Sequence, residues 1–250
     1  MSTLYRTAIT VFMLLLPCLA MAGGGIYFDD LAVANNGNAV YSDSFDDGNV
    51  SDWTGKNDTT LSYAHSYSVP ASFWSNRHTD VVASAYHNVN ISNPGIVEAN
   101  ARVWLPPVEE QYGWTHTGDW TCIFLSSGSS NYAVYGGIDL RAGESGYRVI
   151  LGFNLPGGAF SRTASPVLQP GTWSLLTVKM NNSTSTAYAY LDGIQQCSIP
   201  VDASYFLSYD DSSLWGRLGD GVAPVPEPSG LLALGSALPL LGGFLLRRRR

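Results

Sequence analysis

The chain has 250 residues, with 13 Lys and Arg against 20 Asp and Glu. Five of those cations, Arg6 and Arg247 to Arg250, sit at the two ends, which leaves 8 against 20 in between and a body near −12. A surface this acidic repels phosphate backbones and anionic lipid, so nucleic acid is excluded as a partner.

Tyr, Thr, Val, Gly, Asn and Ser are plentiful while Glu and Lys are scarce, the balance of strand and turn formers rather than helix formers. The chain opens with Arg6, an apolar run from Ile9 to Leu19, and the small-residue site Ala20-Met21-Ala22. That order predicts a signal peptide over 1–22, handled by the secretion machinery and cleaved to leave Gly23 first. Pro17 in front of Cys18 argues against lipid attachment at that cysteine.

Residues 23–222 form the predicted body. Its first strand is expected at Ile26–Ala34. Asp43, Asp46 and Asp47 follow in a turn-rich stretch. With Asp29 or Asp30 they offer hard oxygen ligands suited to Ca²⁺, the one cofactor the sequence suggests. The same aspartates also serve as plain turn formers that need no metal. A strand is expected over Asp80–Tyr86. Val97, Ala99, Ala101, Val103 and Leu105 then alternate with Glu98, Asn100, Arg102 and Trp104, a strand with one buried face.

Tyr112, Trp114 and Trp120 lie in the next segment. They are candidates for stacking on sugar rings, and the alternative is that Trp114 and Trp120 plug an edge of the fold. Further strands are expected at Trp120–Leu125, Tyr132–Leu140, Tyr147–Phe153, Trp173–Met180, Thr186–Asp192 and Leu214–Leu218. No stretch of the body carries a helical period. The prediction is an all-β, antiparallel sandwich or jelly roll. Cys122 and Cys197 remain after export, either as a disulfide or as two separate buried thiols.

Asp192-Gly193 is a type I′ turn signal between Ala187–Leu191 and Ile194–Cys197. With Trp173 to Val178 upstream, this stretch resembles the Trp-strand-strand-Asp-Gly hairpin of laminin-G-like, concanavalin A-like sandwiches. Asp43 to Gly48 followed by Trp53 is similar to the opening of such modules, and Ile26 to Val33 looks more like their closing strand. Related sandwiches include glycoside hydrolases and polysaccharide lyases. Their Glu-x-Asp-x-Glu pattern is absent, and Glu98 is followed on its own face by Asn100 and Arg102. Glu109 and Glu110 are expected in a solvated loop, and His116 has no arginine beside it in a lyase-like set. The sequence therefore predicts no enzyme, but a binding or structural module with polysaccharide as a candidate partner. A glycan-degrading enzyme with an unrecognised site, or a spacer without a ligand, are the alternatives.

The last 28 residues, 223–250, are the most specific. Pro226-Glu227-Pro228 precedes an apolar run, 230–246, and four terminal arginines. This order resembles the PEP-CTERM sorting signal. Membership implies recognition by an exosortase in an exopolysaccharide-producing Gram-negative host. Hydropathy adds a transmembrane helix over 230–246, with Arg247, Arg248, Arg249 and Arg250 as its cytoplasmic stop. The body is then expected outside, first anchored at the inner membrane and later at the cell surface or beyond it.

Overall fold

The computed structural model describes residues 26–57, 59–62, 66–68, 71–75, 83–105, 119–127, 132–140, 144, 146–168 and 171–217. All belong to one compact unit, Gly24–Val222. The signal peptide, Tyr112, Trp114, the Pro226-Glu227-Pro228 motif, the apolar run and the four arginines lie outside the described residues. Among the described residues, no helix is long and apolar enough to cross a membrane.

The body is all-β, as the composition predicts. The first sheet contains β1 (Ile26–Asn35), β2 (Asn38–Asp43), β4 (Thr59–Ser62), β5 (Ser72–Ser75), β7 (Ile96–Trp104), β12 (Trp173–Asn181), β13 (Thr186–Leu191) and β14 (Ile194–Pro200). Its order is β14-β13-β12-β7-β1-β5-β4, with β2 added to β1. The second sheet contains β3 (Thr54–Asn57), β6 (Ala83–Ile91), β8 (Asp119–Ser127), β9 (Tyr132–Leu140), β10 (Arg148–Asn154), β11 (Phe160–Arg162) and β15 (Tyr209–Arg217), in the order β11-β10-β9-β8-β15-β6-β3. Every pairing recorded between these strands is antiparallel.

The core lies between the sheets and is built by period-two alternation. Val97, Ala99, Ala101 and Val103 of β7 meet Leu176, Val178 and Met180 of β12 within it, while Ile123, Leu125, Val134, Ile138, Val149 and Leu151 come from the second sheet. Because side chains point to opposite faces at successive positions, the same strands send Arg102, Phe124, Tyr135 and Arg148 outward. Trp53, Phe45 and Phe73 pack ring on ring inside.

Two hairpins close on two-residue turns. Asp192-Gly193 has φ of 50° and 78°, the left-handed pair of a type I′ turn. Asn36-Gly37, with φ of 53° and 78°, does the same between β1 and β2. β1 also carries a bulge between Asp29 and Ala32 with Asp30 at φ 49°. The bulge divides its edge: Ile26 to Phe28 pair with β5, and Leu31 to Asn35 pair with β2. The last strand begins at Tyr209 rather than Leu214, since Asp210 to Ser213 alternate polar residues that conceal a strand.

Candidate functional site

The outer face of the second sheet gathers chemistry that the core pattern conceals. Strand register lays it out in rows. One row runs Ser213, Phe124, Tyr135, Gly152 and Phe160 across β15, β8, β9, β10 and β11, with Tyr86 of β6 opposite Ser213. The next row, two residues along each strand, runs Ser84, Trp215, Cys122, Gly137, Ile150 and Arg162. From β6 to β11 is five strand spacings, about 24 Å.

The aromatic residues interlock. Phe124 lies 4.8 Å from Trp215 and 5.0 Å from Tyr135 between ring centroids. Trp215 donates its indole N–H to Ser213 Oγ at 2.8 Å. Tyr135 lies across Gly152, where a Cβ would come within 2.3 Å of the tyrosine hydroxyl. Tyr86 lies in the same way across Gly55, whose φ is 58°. These two glycines let the rings settle onto the neighbouring strand. Tyr86 and Phe160, toward the two ends of the row, are 42% and 47% exposed.

A charged cluster borders the row. Arg162 Nε donates to Asp139 Oδ1 at 2.6 Å, and Arg162 Nη1 donates to Glu144 Oε1 at 2.9 Å. Arg162 Nη2 also contacts Glu144 Oε2. Arg148 Nε donates to Glu144 Oε1 at 2.9 Å. All four side chains are at most one-fifth exposed. The carboxylates of Glu144 and Asp139 raise the Arg162 guanidinium above its ordinary range. At the other end of the face, burial pushes the Asp211 carboxyl up, against a hydrogen bond with Ser126 that lowers it.

Trp120, a predicted sugar-stacking residue, falls on this same face, half-buried, opposite Asp139 on one side and Arg217 on the other. It is an outward residue of β8 and not an edge plug. Phe124, Tyr135, Trp215, Tyr86, Phe160 and the arginine–carboxylate cluster were missed as site residues. The parity argument applied to residues 97–105 identifies them once it is extended to β8 and β9, because Val134 and Ile138 inward force Tyr135 and Asp139 outward.

Two of the three aspartates expected to hold calcium, Asp43 and Asp47, engage donors of their own chain. Asp43 Oδ1 accepts from the Phe45 backbone N–H at 2.7 Å. Its Oδ2 accepts the buried Trp53 indole N–H at 2.7 Å and the Tyr41 hydroxyl at 3.0 Å. Asp47 caps the Asn49 N–H at 2.8 Å. Asp29 accepts from Asp30, Tyr67 and Ser68. Among the described residues, no group of three or more His, Cys, Asp or Glu converges as a metal site. Asp43, Asp47 and Asp29 thus serve turns, a loop and a buried indole, while Asp46 Oδ1 is buried with no hydrogen-bond partner among the described residues.

Of the two readings of the cysteines, the structure has the separate buried thiols. Cys122 and Cys197 are both free and buried. Cys197 belongs to the core side of β14, whereas Cys122 stands on the outer face of β8 in the opposite sheet, so the sandwich itself separates them.

No family model matches the chain, and no curated protein does. Solved structures do. An endo-1,3-beta-glucanase from Streptomyces sioyaensis is 13% identical, with a TM-score of 0.41 over 59% of this chain and 60% of that one. A beta-glucanase of Bacillus licheniformis is 12% identical, with a TM-score of 0.37 over 66% and 65%. A congerin II double mutant is 13% identical, with a TM-score of 0.37 over 58% and 97%. The chain thus spans about three-fifths of the length of the first of these glucanases. The expectation that the body is no enzyme is corrected on this finding, since glycoside hydrolases recur among the matched structures. At these identities and scores no activity or site residue carries over from them.

Proposed function

We propose that this protein is an exported, surface-sorted β-sandwich that engages polysaccharide across the outer face of its second sheet. The observation that carries the reading is the cross-strand row of Tyr86, Phe124, Tyr135 and Phe160, with Trp215 packed on it from the next row, bordered by Asp139, Arg162, Glu144 and Arg148. Aromatic rings supply apolar contact to the C–H faces of sugars, and a fixed set of carboxylate and guanidinium groups orients hydroxyls. About 24 Å of strands accommodates several sugar units in one extended chain. Affinity electrophoresis of the full-length chain through gels containing a panel of polysaccharides tests it. At least one glycan retards the wild type, and Trp215→Ala weakens that retardation about tenfold, the loss of one good ring contact. Retardation by no glycan, or equal retardation of the variant, overturns the reading.

A second reading, cleavage of the held chain, is favoured by Asp139 and Glu144, two carboxylates gathered on one guanidinium beside the row. Glycosidic acid–base pairs sit about 5–10 Å apart. Release of reducing ends from the retained glycan tests it, with Asp139→Asn expected to abolish release while leaving retention.

Export and sorting complete the proposal. The segment 1–22 directs secretion, and the Pro226-Glu227-Pro228 segment with its apolar run and arginines delivers the precursor to an exosortase. Mass spectrometry of surface-located protein checks this: peptides holding Arg247 to Arg250 in most molecules would refute it.

A further inference from the structure

The outer face of the first sheet holds a cation that nothing so far employs. Arg102 points outward from β7, between Asp29 of β1 and Leu175 of β12. Its guanidinium carbon lies 4.2 Å from the centroid of the Tyr67 ring. Asp29, its register neighbour, does not pair with it. Both Asp29 oxygens accept instead from the loop, with the Tyr67 N–H at 2.8 Å and the Ser68 N–H at 3.2 Å on Oδ2, and the Asp30 N–H at 2.9 Å and the Ser68 hydroxyl at 3.2 Å on Oδ1. Arg148, Arg162 and Lys179 each hold a carboxylate. Among the described residues, no carboxylate and no hydrogen-bond acceptor engages the Arg102 guanidinium.

In a body with 8 basic residues against 19 acidic ones, chance favours a carboxylate beside every arginine. Arg102 is kept from one by a loop that draws the nearest acid into its own backbone. What the loop supplies in exchange is a ring. Tyr67 is 49% exposed and makes an edge contact with Trp173 at 6.2 Å. Trp173 of β12 stands opposite Trp104 of β7, and Trp104 meets Tyr27 at 5.3 Å. An arginine with its N–H fork unengaged, set among tyrosine and tryptophan rings, combines the two contacts that an acidic pyranose needs. The fork takes a planar carboxylate on two parallel hydrogen bonds, and the ring takes the sugar's apolar face.

We propose that this face carries a second, separate site that binds the carboxylate of a uronic-acid residue at Arg102, with the sugar ring against Tyr67. The site is independent of the row on the second sheet, which lies on the opposite side of the sandwich.

The test titrates the full-length chain with oligomers of galacturonic acid and with galactose oligomers of equal length, followed by tryptophan fluorescence. The wild type binds the acidic oligomer at least tenfold more tightly than the neutral one, and added salt weakens that binding. Arg102→Gln removes the preference for acid, and Arg102→Lys restores part of it as a charge without a fork. Tyr67→Ala weakens binding of the acidic oligomer. Trp215→Ala leaves the preference unchanged, which separates this site from the face proposed above. Equal binding of the acidic oligomer by the wild type and Arg102→Gln overturns the proposal. So does no binding at millimolar oligomer, or a short peptide with a free C-terminal carboxylate that competes for Arg102 more strongly than the sugar.

Discussion

The two sheets use arginine in opposite ways on their outer faces. On the second, Arg148 and Arg162 are enclosed by Glu144 and Asp139, and the aromatic residues beside them stack on one another. On the first, Arg102 has a ring and no acid, while the nearest carboxylate, Asp29, is fully buried and devoted to a loop. The same residue type is structural in one place and available in the other. Neutralisation decides which, more than depth alone.

The largest expected effect falls on the closed cluster. Arg162→Met leaves Asp139 and Glu144 with one guanidinium fewer, and removing one partner from a buried ion pair costs roughly 3–5 kcal/mol. Urea denaturation of the variant should show a loss of that order. A loss below about 1 kcal/mol would mean that the cluster is a solvated surface feature, and the contrast between the sheets would disappear.

Asp29 gives the next largest effect. Burial raises its carboxyl from 3.8 to about 6, and the hydrogen bonds from Tyr67, Asp30 and Ser68 oppose that rise. A folded-state value above the unfolded one means that the folded state holds the proton more tightly. The stabilisation is complete below about pH 4 and is lost as pH climbs through 6, up to about 3 kcal/mol in all. Burial also raises Asp211, with the same sign, so the difference between wild type and Asp29→Asn isolates the effect. Midpoints measured from pH 4.5 to 7.5 should fall more steeply in the wild type than in the variant.

Packing of the second face sets the third prediction. A Cβ on Gly137 would stand 2.2 Å from the Thr121 carbonyl and 2.4 Å from Cys122 Sγ, and the carbonyl is backbone that cannot swing aside. Gly137→Ala should cost about 1–3 kcal/mol. Gly152→Ala meets only the outer end of the Tyr135 ring and should cost less, so thermal melts of the pair rank rigid against movable neighbours. Arg102→Ala comes last. It removes one exposed cation–π contact, about 0.5–1 kcal/mol, and a larger loss would show that Arg102 is structural after all.

Much of the sandwich was legible in the sequence. The parity of 97–105 and of 147–153, and the Asp192-Gly193 turn, reappear residue for residue. Those strands bury one face, so hydrophobicity reports their direction. β2, β3, β4, β5 and β11 were not anticipated. They are short, or they lie at edges where both faces carry polar residues, and there period two leaves no hydrophobic trace. The candidate face was half legible. Trp120 was flagged for being aromatic, but Trp215 and Phe124 lie in separate strands, and only the register that pairs Ser213 with Phe124 and Trp215 with Cys122 brings them together. The partners of the aspartates were hidden for a different reason. Asp43 is placed by the indole of Trp53, ten residues away, a partner that no local spacing rule contains.

The placement of the two thiols has a practical outcome. Cys122 and Cys197 are held on opposite sheets, buried, and burial raises both above the ordinary thiol range, so little of either is present as thiolate. The fold owes nothing to an oxidant and fears no reductant. A chain crossing from a reducing compartment into an oxidising one can complete this sandwich without an oxidoreductase to form a bond or an isomerase to correct one. Air and thiol buffers should leave the same melting curve, and the protein can be prepared in either.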